Sequence, residues 1–169
     1  MVFNNYRKYI MKMTNQQVVD LYLGLKTVED LSGVKFAYAV AKNMVILDRE
    51  IKPIRVAAEP NGEFKIYEDA RIKLAEGHAV IEDGKPKTYV EDGFQRYTIK
   101  DQAKFEEDFK QLRTKHRKAI SDRKNQEEEV DLLTKENIEV DIYMIPPSYI
   151  PENISTKQMV AILPIVKEK

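Results

Sequence analysis

The sequence predicts an α+β fold: an antiparallel long-helix hairpin with a small β-meander at its tip and a terminal strand plus short helix at its base. Three observations predict it. Mostly apolar residues, with His116, Arg123 and Gln126 among them, recur at alternating four- and three-residue spacings over 40–58 and 105–133, the rhythm of a helix that buries one stripe against another helix. Between them, residues 79–99 switch to short extended runs punctuated twice by Glu-Asp-Gly. Near the end, Ile138, Val140, Ile142 and Met144 alternate with polar or amphipathic neighbours, the period of a half-buried strand.

In chain order, residues 1–12 mix charged and apolar side chains without a continuous apolar run. They read as a flexible arm or an extended start rather than a signal peptide. Thr14-Asn15-Gln16-Gln17 forms a capping box, in which Thr14 accepts from the first turn and Gln17 reaches back. Val18, Leu21, Tyr22, Leu25 and Val28 then share one helical face, which Ser32-Gly33 closes. Val34-Lys35-Phe36 reads as a short extended piece before the second helix. That helix carries the seam Val40, Met44, Leu47, Ile51, Ile54, Ala58, with a kink expected at Pro53 because its ring frees the carbonyl of Arg49.

Pro60-Asn61-Gly62 is a stronger break, after which Tyr67, Ala70 and Leu74 resume the helix as far as Gly77, so 14–78 is expected to be largely helical. Ala79–Ile81, Lys87–Val90 and Phe94–Tyr97 read as three strands of the 79–99 meander, with Asp83-Gly84 and Asp92-Gly93 supplying the positive φ of tight hairpins. Thr98 to Asp101 reads as a second capping box. A single helix then runs through 100–135 with the seam Phe105, Phe109, Leu112, His116, Ala119, Arg123, Gln126, Val130, Leu133. At ~1.5 Å per residue it would reach roughly 50 Å. Pro146-Pro147 stops the terminal strand, and Ser155-Thr156-Lys157-Gln158 caps a last helix that ends at Pro164. The 138–166 segment is expected to pack on the first helix, giving one domain over 1–169.

Composition narrows the function classes. With 43% hydrophobic and 33% charged residues in 169, the chain can bury a core and still carry long charged helix surfaces. The 28 basic and 28 acidic side chains cancel, which disfavours general nucleic-acid binding, since coating a duplex needs a cationic excess. Without cysteine there is no disulfide, thiolate zinc site or thiol nucleophile, a usage that fits the cytoplasm of a cell. No apolar run approaches the ~20 residues that span a bilayer.

Catalytic groups are scarce. Glu68-Asp69 and Glu106-Glu107 are adjacent pairs, which diverge on a helix, and there is no phosphate loop or nucleophile elbow. Ser32 and Ser155 fall at helix boundaries. No enzyme activity, cofactor or metal is therefore expected. His78, beside Gly77, reads as a surface histidine because a metal site would want further ligands at regular spacing. His116 and Arg123 occupy seam positions, where a polar side chain sets register, faces a partner chain or lines a cavity. The basic stretch Arg113 to Lys124 has no interleaved aromatics. It reads either as a solvated face balanced by Glu127-Glu128-Glu129 or as an anion-binding stripe of arginine forks.

Phe36-Ala37-Tyr38-Ala39-Val40-Ala41-Lys42-Asn43 resembles a segment of a widespread family of short uncharacterised proteins of tailed bacteriophages and prophages of Gram-positive bacteria. Thr14 to Leu25, Asp83-Gly84-Lys85, Phe105 to Leu112 and Ile138 to Ile142 extend the likeness over most of the chain. Pro60-Asn61-Gly62 and the second Glu-Asp-Gly turn are additions to that pattern. The resemblance implies a phage origin and carries no established activity. Read on their own, Lys42 could reach an anion, while Asn43 bonds local backbone or contacts a ligand.

The sequence thus points to a non-catalytic, homo-oligomeric phage protein acting in the host cytoplasm. It would sequester a small anionic, nucleotide-like defence signal. The expected ligands are Lys42, Asn43, Arg113, His116, Arg117 and Arg123, with Tyr38 as a stacking surface. The alternatives are a virion or morphogenesis component, or an inhibitor that docks on a host protein through Tyr89, Phe94 and Tyr97.

Overall fold

A computed structural model describes residues 8–167 of the chain. The expected arm over 1–12 falls partly outside these residues. Within them it is corrected, because β1 (Lys8–Thr14) is a seven-residue strand paired antiparallel with β6 (Asn137–Tyr143). Its partner lies more than 120 residues on, so no local pattern announced it. Helices and small antiparallel sheets mix as the α+β reading expects.

Where the sequence suggested one domain, the chain divides into two compact units, Met1–Ala58 with Glu129–Lys169, and Glu59–Glu128. In the first, Tyr9, Met11 and Met13 lie opposite Ile142, Val140 and Ile138, so one face of the ribbon is apolar. α1 (Asn15–Lys26) starts at the expected Thr14–Gln17 capping box and buries Val18, Leu21 and Leu25. α2 (Val34–Ala58) begins at Val34, which corrects the extended reading of 34–36, and stays helical through Pro53. Its buried face, including Val40, Leu47, Ile51 and Ile54, packs on α1 and β6. The seam assigned to a second long helix therefore meets a short helix and a strand. α6 (Thr156–Ile162) starts at the expected Ser155–Gln158 box and packs on α1. Gly24 permits this contact, since a Cβ there would lie 2.6 Å from the Ala161 carbonyl oxygen.

In the second unit, α3 (Gly62–Gly77) and α4 (Gln102–Lys115) run antiparallel: Tyr67 meets His116 at one end, and His78 meets Phe105 and Asp108 at the other. Between them lie two hairpins, β2 (Ile81–Glu82) with β3 (Lys85–Pro86), and β4 (Thr88–Glu91) with β5 (Phe94–Tyr97). The three-strand meander is corrected to these two ribbons, tied together by the Val80–Thr98 and Lys87–Val80 backbone bonds. Both turns use positive φ as expected, with Asp83 at 51°, Gly84 at 74°, Asp92 at 52° and Gly93 at 79°.

Two further expectations are corrected here. The cap of α4 is Asp101, which accepts from the Lys104 backbone, so Thr98 is not the cap. The long third helix is interrupted at His116, and α5 (Arg117–Lys135) follows. Two residues earlier Thr114 Oγ1 donates to the Lys110 carbonyl at 2.9 Å, a back-bond that competes with the helix ladder.

Candidate functional site

Long charged helices normally neutralise themselves, because acids and bases four residues apart face each other. α5 follows that rule: Lys118 pairs with Asp122 at 2.9 Å, Arg123 with Glu127 at 2.9 Å, and Lys124 with Glu128 at 3.7 Å. The hydrogen bond to Asp122 raises the Lys118 pKa. Around the α4–α5 junction the rule fails. Lys110, Arg113 and Arg117 are exposed, and among the described residues none has an ion-pair partner. Position 114 is threonine and position 121 serine, and Glu106, one turn before Lys110, accepts from Gln102 instead of forming an ion pair.

Arg113 and Arg117 line one shallow, open groove of ≈ 440 Å³ with Lys110, Thr114, Glu106, Phe109 and Ile120. The groove offers two guanidinium forks, an ammonium and a hydroxyl against apolar flooring from Phe109 and Ile120. That combination suits an anion with several oxygens, which forks can grip in pairs. Glu106 is its one carboxylate and accepts from Gln102 at 3.1 Å.

The other expected ligands are placed elsewhere. His116 is half-buried with its ring 5.7 Å from that of Tyr67, so it packs rather than faces the groove. Arg123 lies over the Phe64 ring at 5.8 Å and donates to Gln126 as well as pairing with Glu127. Its seam position is met by an internal network. Tyr38, Lys42 and Asn43 belong to α2 in the first unit, with Lys42 Nζ 5.6 Å from the exposed Tyr38 ring. Asn43 is fully buried: Nδ2 donates to the Tyr143 carbonyl at 2.9 Å and Oδ1 accepts from the Tyr143 amide at 2.8 Å. The structure therefore removes Asn43 from the ligand set and makes it the clamp between α2 and the end of β6.

His78 is more enclosed than expected, with its side chain 16% exposed and Nε2 3.0 Å from Asp108 Oδ2. Among the described residues no three His, Cys, Asp or Glu side chains gather as a metal site would need, and no helix is long and apolar enough to cross a membrane. The sequence reading missed Lys110, Thr114 and Phe109. For Phe109 a signal was present, since 105, 109 and 113 step along one ridge of α4; for Lys110 and Thr114 it was their own four-residue spacing beside that ridge. No protein-family model, curated protein or solved structure matches the chain.

Proposed function

We propose that this chain is a non-catalytic binding protein of a tailed phage or prophage, acting in the host by sequestering a small anionic ligand. One observation carries the proposal: Lys110, Arg113 and Arg117 share a groove and lack the acidic partners that neighbouring cations have. The three cations repel one another across the α4–α5 junction, and a bound anion relieves that repulsion. The phage assignment rests on the Tyr38 to Asn43 resemblance.

A homo-oligomer belongs to the same reading, supported by the exposed outer stripe of α2, where Val34 is 87%, Val45 71% and Val56 63% exposed. The long antiparallel hairpin is likewise part of the proposal, supported by the antiparallel course of α3 and α4 within their unit. A second reading, docking on a host protein, is favoured by Val90 at 73% and Phe94 at 69% exposure on the β4–β5 hairpin.

The test is native mass spectrometry of the purified protein before and after mixing with nucleotide extracts of infected cells, followed by calorimetry on the ligand found. Arg113→Glu with Arg117→Glu should weaken binding at least tenfold, and affinity should fall as salt rises, because exposed charges are screened beyond ~8 Å at physiological ionic strength. Undiminished affinity in the double variant rules the site out.

A further inference from the structure

We infer that the anion held at Arg113 and Arg117 is the phosphate of a nucleoside phosphate, whose flat heteroaromatic ring seats in the adjoining groove of the same unit. This rests on the reading above and assigns the other half of the ligand. The adjoining groove, ≈ 410 Å³, is walled by Ile72 of α3, Tyr89, Arg96 and Tyr97 of the β4–β5 hairpin, and Phe105 and Phe109 of α4. Phe109 lines both grooves, so the ring pocket and the cation pocket adjoin at that side chain.

The spacing suits the ligand. Phe105, Phe109 and Arg113 follow one another four residues apart on α4, each step about 6 Å along the helix, and Arg117 opens α5 just past the break at His116. A base against the first two leaves its phosphate beside the last two. Phe105 and Phe109 stack on each other with centroids 5.8 Å apart and form one aromatic wall of the groove. Tyr89, 47% exposed, and Tyr97 supply the opposing rings. Arg96 pairs with Glu91 at 2.8 Å in an exposed bridge, a contact weak enough in water to exchange for a ligand oxygen or a ring face. Glu106, at the cation groove, offers an acceptor to a sugar hydroxyl or exocyclic amine. Aromatic faces beside unneutralised cations are the chemistry by which proteins hold nucleotides without reading their sequence. The basic stretch lacks such rings in its own sequence, because they arrive from residues 89–97 and from one turn before it.

A free nucleotide and a single strand share this chemistry. The experiment titrates the full chain with pyrophosphate, ADP, UDP and hexathymidylate. Wild type should bind ADP or UDP about tenfold or more tightly than pyrophosphate. Tyr97→Ala with Tyr89→Ala should erase that preference while leaving pyrophosphate affinity unchanged, and Tyr97→Phe with Tyr89→Phe should keep it. Arg113→Glu with Arg117→Glu should weaken pyrophosphate, ADP and UDP alike by at least tenfold. Hexathymidylate tighter than UDP marks the strand as the source, and weaker marks the free nucleotide. If pyrophosphate binds as tightly as ADP and UDP, or the alanine variants keep the preference, the ring pocket is overturned while the anion site stands. If no probe binds, both fall.

Discussion

Asn43 shows how much one side chain can carry. Its amide bonds both the N–H and the C=O of Tyr143, at 2.8 and 2.9 Å, in a site closed to water. Removing it strands a buried backbone donor and acceptor, each costing about 1–3 kcal/mol. Asn43→Ala should therefore lower stability to denaturant by about 2–4 kcal/mol, with nucleotide affinity of the folded fraction unchanged. Asn43→Asp is the sharper test. The carboxylate keeps an acceptor for the Tyr143 amide but faces the Tyr143 carbonyl without a donor, and burial raises its pKa above the unfolded value. The penalty of such a group is relieved as pH falls through its raised pKa and is gone only below its unfolded pKa, so this variant should grow more stable as pH falls from neutrality towards 4. A flat pH profile would mean that water reaches the site. The sequence could name Asn43 as a backbone-bonding residue, but it pointed to local backbone, whereas the partner lies 100 positions away.

At the scale of elements, helix starts were the most legible features. The boxes at Thr14–Gln17 and Ser155–Gln158 form as written, because a cap is satisfied within four residues and needs nothing distant. The Thr98 reading failed for the same reason: the first turn of α4 satisfies its donors at Asp101 instead. Asp101→Ala should cost about 1 kcal/mol of stability in thermal unfolding, whereas Thr98→Ala should leave the cap intact. Equal losses would contradict the assignment. Contacts between elements were less legible. Gly24 reads as an ordinary helical glycine, yet a methyl there would press into the Ala161 backbone at 2.6 Å. Gly24→Ala, favourable by helix propensity alone, should instead destabilise by about 1–3 kcal/mol as α1 and α6 are forced apart. A stabilised Gly24→Ala would show that α6 yields without cost. The α2 seam was recognised by its period, but a period says only that a face is buried. It does not say whether a long helix or a short helix and strand will cover it.

At the scale of the whole molecule, the two units are built differently. The main core cluster, including Leu25, Phe36, Leu47, Ile142, Ile145 and Ile162, lies in the unit formed by residues 1–58 and 129–169. The described buried apolar residues of the other unit are Tyr67, Ala79 and Ala119, and its helices rely on ion pairs along their own surfaces. Exposed ion pairs of this kind contribute about 0–1 kcal/mol each, against about 1.5–3 kcal/mol for a buried aliphatic side chain. Amides of 59–128 should therefore exchange with deuterium well before those of α1, α2 and β6, through an opening that leaves the main core closed. This division was not legible, because local periodicity marks both seams alike while the number of buried partners is a property of the assembled chain. The contrast also gives the proposed site a signature. A ligand held between α4 and the β4–β5 hairpin binds only the closed form of its unit, so at one hundred times its dissociation constant it should stabilise that unit by about 2.7 kcal/mol. Hydrogen exchange with saturating ADP should slow about a hundredfold in α3, α4 and the hairpins and stay unchanged in α1 and β6. Protection confined to α1, α2 or β6 would place the ligand in the other unit and return Tyr38 and Lys42 to the site.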